Sequence, residues 1–154
     1  MRKSLNTIIS FILMGGSLSI NKINFEDVQS VLNTGDTIII STLPLERQDC
    51  LLSGTLTASE EVTVLNKYLS LGNQNGLRIV IYGENSCDDT LLEKCNQLIK
   101  LGFSDINVYV GGLFEWLLLQ DIYGTDVFPT TSLERDLLKF KGRKKMSVKM
   151  LTSL

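Results

Sequence analysis

The sequence predicts an α/β fold with a central, mostly parallel sheet flanked by helices. Three observations carry that expectation. Short β-branched runs recur at 37–41, 78–82 and 106–110, the pattern of strands buried on both faces. Segments with apolar residues at helical spacing lie between and after them. Glycines and polar clusters punctuate the joins. Strands that alternate with helices argue for right-handed βαβ units.

In chain order, Asn24 is placed to cap a helix whose apolar positions are Phe25, Val28, Val31 and Leu32, ending near Gly35. The run TIIIS (37–41) follows as a strand. Ser59, with Glu60, Glu61 and Val62 after it, reads as a capped start of a second helix with Val62, Leu65, Tyr68 and Leu69 on its inner face. Gly72 and Gly76 mark the next turn, and RIVIY (78–82) the next strand. After the polar loop Gly83–Asp89, a helix runs from Thr90 to Leu101 with Leu91, Leu92, Cys95, Leu98 and Ile99 at helical spacing, and Gly102 ends it. INVYV (106–110) is a third strand. Gly111 and Gly112 then turn into a helix over Leu113–Gln120. Trp116 with Phe114, Leu117, Leu118 and Leu119 is read as packed core rather than as an exposed stripe.

With 154 residues, 44% apolar and 21% charged, the chain suits one soluble globular domain. No apolar run approaches the ~18 residues of a spanning helix. The absence of histidine removes imidazole bases, Ser-His and Cys-His pairs, and histidine metal ligands. Cys50, Cys87 and Cys95 form no CxxC pair, so a zinc site would need a carboxylate as fourth ligand. Glu84, Glu115 and Asp121 are read as scattered carboxylates rather than a cation site. No metal and no other cofactor is expected. An odd number of cysteines without a strong secretory signal favours reduced thiols in the cytoplasm.

Charge is distributed unevenly. Residues 1–134 carry 8 Lys/Arg against 16 Asp/Glu, a net −8. Residues 135–154 carry 7 Lys/Arg and one Asp, a net +6. A basic tail on an acidic body either meets phosphates or anionic lipid, or is simply a solvated terminus.

The stretch from Arg78 to Leu119 resembles the second half of rhodanese-like domains. It carries IVIYG (79–83), LIKLGF (98–103), INVYV (106–110) and GGLFEW (111–116). Members of that family have a strand ending in Tyr-Cys, an active-site loop, a helix ending in Leu-Gly-Phe, a strand, then Gly-Gly and an aromatic. The run GGLFEWLLLQDIYG (111–124), with FPTT after it, is similar to divergent rhodanese-domain proteins of protists and large DNA viruses. Residues 20–70 agree in element order but lack the family's usual charged landmarks.

The resemblance implies a site at the loop Gly83, Glu84, Asn85, Ser86, Cys87, Asp88 and Asp89. In active members the cysteine after the strand sits in a cradle of backbone N–H groups at a helix N-terminus. The cradle lowers its pKa and holds an anionic persulfide, and a basic loop residue helps bind the sulfur donor. An ungapped comparison puts Gly83 where that cysteine would stand, and Asp88 and Asp89 where the basic residue and the next hydroxyl would lie. The loop has three carboxylates and no Lys or Arg. Two like charges ~5 Å apart at an effective dielectric of ~20 repel by roughly 3 kcal/mol. Such a loop opposes an anionic donor and raises a thiol pKa.

Cys87, displaced by four positions, is the one candidate nucleophile, with the Ser86–Thr90 backbone as its cradle. The competing reading makes Cys87 incidental, with Asp88 or Asp89 capping the helix. Cys95 is read as core, and Cys50 has no assigned role. The dual-specificity phosphatases that share the fold need a loop cysteine and, several residues on, a phosphate-gripping arginine. Neither is in place.

The N-terminus has three readings. Met1-Arg2-Lys3, an apolar run 8–13 and small residues from Gly15 form a signal-like or membrane-leaning leader. Translation from Met14 would instead expose Gly15 in a myristoylation pattern, with the basic tail as second membrane signal. The third is a disordered leader.

The expectation is therefore a leader over 1–19, a rhodanese-like domain over 20–131 and a basic tail over 132–154. The function expected is a catalytically impaired module that binds a protein partner, perched at a membrane surface through its ends or free in the cytoplasm. A secretory route stays open beside it. The alternative is a sulfurtransferase carrying a persulfide on Cys87. A nucleic-acid partner for the tail is the least favoured.

Overall fold

The computed structural model describes residues 20–146. The leader 1–19, with Met14 and Gly15, lies outside the described residues. The chain runs β1 (Ile20–Ile23), α1 (Phe25–Val31), β2 (Thr37–Ser41), α2 (Ala58–Ser70), β3 (Arg78–Tyr82), α3 (Thr90–Lys100), β4 (Asp105–Tyr109) and α4 (Gly112–Tyr123). Single 3-10 turns lie at Leu45–Arg47, Gln74–Gly76 and Leu137–Phe140. The four strands form one parallel sheet in the order β1-β4-β3-β2. β3 is central: its Ile81 aligns with Ile40 of β2 and Val108 of β4.

A strand buried on both faces splits its side chains between two cores. In β3, Val80 and Tyr82 join Val28, Ile39, Tyr109, Leu113, Trp116 and Phe128 on the face covered by α1 and α4. Ile79 and Ile81 join Leu65, Leu91, Cys95, Leu98, Phe103 and Ile106 on the face covered by α2 and α3. Trp116 is fully buried, edge-on to Phe128 at 4.9 Å between centroids. Its Nε1 donates to the Pro129 carbonyl (3.2 Å), and Gln120 Nε2 donates to that of Phe128 (2.6 Å). This is why the FPTT segment lies flat on the core.

Helix caps set the boundaries. Asn24 caps α1 through a capping box with Asp27. The cap of α2 is Thr57, two residues before the expected Ser59, because Thr57 closes a box with Glu60: Thr57 N–H donates to Glu60 Oε2 (2.8 Å), and Glu60 N–H donates to Thr57 Oγ1 (3.3 Å). The inner stripe of α2 runs through Glu61, Val64, Leu65 and Tyr68, with Glu61 paired to Lys94 of α3. Val62, expected inside, is consequently 57% exposed. β1 escaped the sequence reading because INKI is only four residues long, has two adjacent polar residues between its isoleucines in place of a period-two pattern, and pairs at an edge.

Packing also continues past residue 131. Phe140, inside the stretch read as tail, is fully buried against the α1/α4 core. An aromatic ring among lysines is apolar surface that the domain covers. No helix among the described residues is long and apolar enough to cross a membrane.

Candidate functional site

β2, β3 and β4 end together, and the loops leaving their C-terminal ends make the site, as in other open parallel sheets. Tyr82, the last residue of β3, is buried. Its hydroxyl accepts from Leu52 N–H (3.1 Å) and lies 2.8 Å from Thr55 Oγ1. Burial pushes its pKa up to about 12. This fixes the point at which the chain enters the loop.

Gly83 follows, buried, with an ordinary negative φ. A Cβ placed on it would run into the carboxylate of Asp88, with Thr42 Oγ1 at 3.1 Å. The carboxylate is held there from two sides. Oδ2 accepts from Glu84 N–H (2.9 Å), and Oδ1 accepts from the N–H (2.9 Å) and hydroxyl (2.6 Å) of Thr90. Asp88 thus caps α3, as one of the two sequence readings had it, while Asp89, at the formal N-cap, makes no capping bond. Asn85 is nearly buried. Its Oδ1 accepts from Cys87 N–H (2.9 Å), and its Nδ2 donates to the Phe140 carbonyl (2.9 Å). The N–H groups of Glu84, Cys87 and Thr90, which an anion would use, are taken by the loop's own side chains.

The turn after β4 explains its two glycines. Gly112 has φ +68°, and a Cβ there would meet the Gly83 carbonyl oxygen at 2.7 Å and Asn85 N at 3.0 Å. Through this close approach Leu113 N–H donates to the Gly83 carbonyl (3.0 Å) and Phe114 N–H to that of Glu84 (2.8 Å). The first turn of α4 is satisfied by the loop itself.

Ser86, Cys87 and Asp89 are exposed, and Cys87 lines an open cleft of about 920 Å³. The charge of this cleft differs from the sequence expectation. The loop does bring Glu84, Asp88 and Asp89, and Glu46 adds a fourth carboxylate. But Arg47, Lys139, Lys141, Arg143 and Lys145 line the same cleft. Arg47 pairs with Glu84. The loop itself is acidic, as its sequence reads, but cations distant in sequence line the same cleft. Arg47 fixes them there, donating from Nη2 to the Lys139 carbonyl (2.7 Å) and lying 5.3 Å from the Phe140 ring centroid.

Sequence reasoning missed Arg47, Phe140 and these tail cations as site residues. The available signal was one aromatic residue inside a basic terminus. Cys95 is buried at 1% exposure, and burial pushes its thiol up to about 11. Cys50 is buried too, its thiol donating to the Ser132 carbonyl at 3.3 Å. Among the described residues no group of three or more Cys, Asp or Glu comes together to hold a metal, so Glu84, Glu115 and Asp121 form no cluster.

No family model matches the sequence, and no curated protein matches it. Solved structures do. The BH2092 protein of Bacillus halodurans superposes with a TM-score of 0.51 at 14% identity, over 79% of this chain and 84% of that one. The wild-type structure of EanB superposes at 0.50 and 16% identity over 74% of this chain, which spans only 28% of EanB's length. A single-domain sulfurtransferase of Saccharomyces cerevisiae reaches 0.49 at 15% identity, over 75% of this chain and all of that one. Architecture and loop placement together define the class: this is an α/β domain with a rhodanese-like fold. Identities this low speak for the fold alone, and activity has to be argued from the loop.

Proposed function

We propose that this domain is a catalytically impaired rhodanese-like module that binds a protein partner. One observation carries the reading. The residue directly after β3 is Gly83, and the space its side chain would fill holds the Asp88 carboxylate, already bonded to the N–H groups of Glu84 and Thr90. A persulfide cradle works by offering such N–H groups to a bound anion. This loop offers them to itself. The partner is a protein reached in the cytoplasm. The leader and the basic tail are the elements that would add a membrane surface.

The second reading keeps its own support. Cys87 is exposed in a cleft bordered by Lys141, Arg143 and Lys145, cations that would meet an anionic sulfur donor. In that case the Cys87 thiolate attacks the outer sulfur of thiosulfate, the S–S bond breaks and sulfite leaves. Cyanide then takes the outer sulfur of the persulfide as thiocyanate and frees the thiolate.

Thiosulfate-to-cyanide transfer by the purified protein and by Cys87→Ser separates the two. The expected result is no transfer by either, with Cys87 alkylating at the rate of an ordinary exposed thiol and Cys50 and Cys95 protected. Transfer by the native protein that disappears in Cys87→Ser overturns the impaired reading and installs the second.

A further inference from the structure

The tail segment is folded as one wall of the cleft. Phe140 pins it to the core, Asn85 Nδ2 holds the Phe140 carbonyl, and Arg47 holds that of Lys139. Beyond this anchor Lys141 is extended (φ −61°, ψ 155°). Leu138 and Lys139, in the 3-10 turn, line the cleft, and past it the lining side chains are those of Lys141, Arg143 and Lys145, with Gly142 packed toward Cys87 and Asn85. Alternate side chains along extended backbone stand roughly 6.5 Å apart. Lys139 is paired with Glu134, but Lys141, Arg143 and Lys145 have no ion-pair partner among the described residues. Glu46 and Asp89 line the same cleft from other segments of the chain, and neither is in an ion pair among the described residues.

We infer that this cleft is a docking groove for an extended peptide bearing acidic side chains at every second position. The inference rests on the reading of the domain as a binding module and names the partner's chemistry. Two features select this occupant. An extended peptide repeats its side chains with the same spacing as Lys141, Arg143 and Lys145, so carboxylates at alternate positions meet cations one for one. Its remaining side chains turn toward the opposite wall, where Glu46 and Asp89 accept hydroxyl, amide or ammonium donors. A nucleic-acid strand or an anionic membrane presents only negative charge and meets that acidic wall with repulsion. The groove is thus specific through both its walls: the tail attracts, and the loop rejects the wrong polyanion.

The test uses the full chain and a short fluorescent peptide alternating glutamate with serine. Its comparators are a peptide of equal composition with the glutamates in one block, single-stranded oligothymidylate, and phosphatidylserine vesicles. The alternating peptide binds best, salt weakens it, and reversing all three cations (Lys141→Glu, Arg143→Glu, Lys145→Glu) weakens it by about tenfold or more. Glu46→Gln with Asp89→Asn raises oligothymidylate binding more than it changes peptide binding, and so narrows the preference between the two. These are exposed positions, so both variants fold. Preference for the block peptide, oligothymidylate or vesicles overturns the inference, and so does an absence of binding to all four probes. Sulfur transfer lost in Cys87→Ser would instead overturn the reading of the domain as impaired, whatever the peptides do.

Discussion

Gly83 and Gly112 meet at the C-terminal edge of the sheet, and both are glycine for steric reasons, yet the reasons differ in kind. At Gly112 the obstacle is backbone: φ is +68°, and the Gly83 carbonyl and Asn85 N occupy the space of a Cβ. At Gly83 φ is ordinary, and the nearest obstacle is a side chain, the carboxylate of Asp88. A backbone obstacle cannot move without unmaking the fold, whereas a side chain can turn away. Gly112 therefore belongs to the architecture. Gly83 belongs to the loop, whose own carboxylate fills the space a side chain would take.

The largest effect is expected at the architectural glycine. Gly112→Ala combines left-handed backbone strain with overlap against two main-chain atoms, a loss of about 4 kcal/mol on the scale of strained and overpacked sites. The bonds from Leu113 and Phe114 N–H to the loop would open with it. Urea unfolding measures this loss. A cost under about 1 kcal/mol would show that the two turns are not locked together and would dissolve the contrast with Gly83.

The same distinction governs what was legible in the sequence. β2, β3, β4 and all four helices are visible as β-branched runs and helical stripes, since each is set by residues close in the chain and buried on a predictable face. The position of the loop was visible for the same reason, as were the two candidate roles of Asp88 and Asp89. The surroundings of the loop were not. The loop contains no Lys or Arg, and the charge argument built on that fact overlooked Arg47, Lys141 and Arg143, which reach the cleft from 36 or more positions before the loop and from more than 50 after it. No local pattern encodes that closure. It depends on Phe140 finding the α1/α4 core, and a single aromatic residue in a basic terminus is a weak signal. Val62 failed in the opposite way. The face that α2 buries runs through Val64, Leu65, Tyr68 and Leu69, and Val62 lies off it, more than half exposed.

A second, smaller effect tests the anchor immediately behind Gly83. The Tyr82 hydroxyl is raised by burial to about 12 from an ordinary value of 10.0. Below pH 10 folded and unfolded chains both keep the proton, and the full stability is present. Above it the unfolded chain ionises first, so stability falls as pH rises through 10 toward 12, by roughly 2–3 kcal/mol at about 1.4 kcal/mol per unit. Tyr82→Phe should flatten that part of the alkaline profile. At neutral pH it should cost about 1–3 kcal/mol through the Leu52 N–H left without an acceptor. An alkaline slope unchanged in Tyr82→Phe would place the titration elsewhere, with Tyr109, which burial and the Glu115 carboxylate also raise, as the next group to replace.

The smallest effect is the most discriminating, because it asks whether the obstacle at Gly83 is indeed a side chain. Gly83→Ala forces the Asp88 carboxylate off Glu84 N–H and should cost about 1–2 kcal/mol, the worth of a capping interaction. Asp88→Ala removes the same interactions and should cost about the same. Once the carboxylate is gone, the nearest remaining atom to the added methyl is Thr42 Oγ1 at 3.1 Å, a side-chain hydroxyl that can give by a few tenths of an ångström. The double variant should then be little worse than Asp88→Ala alone, a coupling of about 1 kcal/mol in a double-mutant cycle. Additive costs would mean that Gly83 is constrained by its backbone as Gly112 is, and the loop would no longer read as a cradle holding its own anion. Strong coupling would mean that the space beside Glu84 N–H is shaped for one negatively charged group, and that Asp88 supplies it from within the chain.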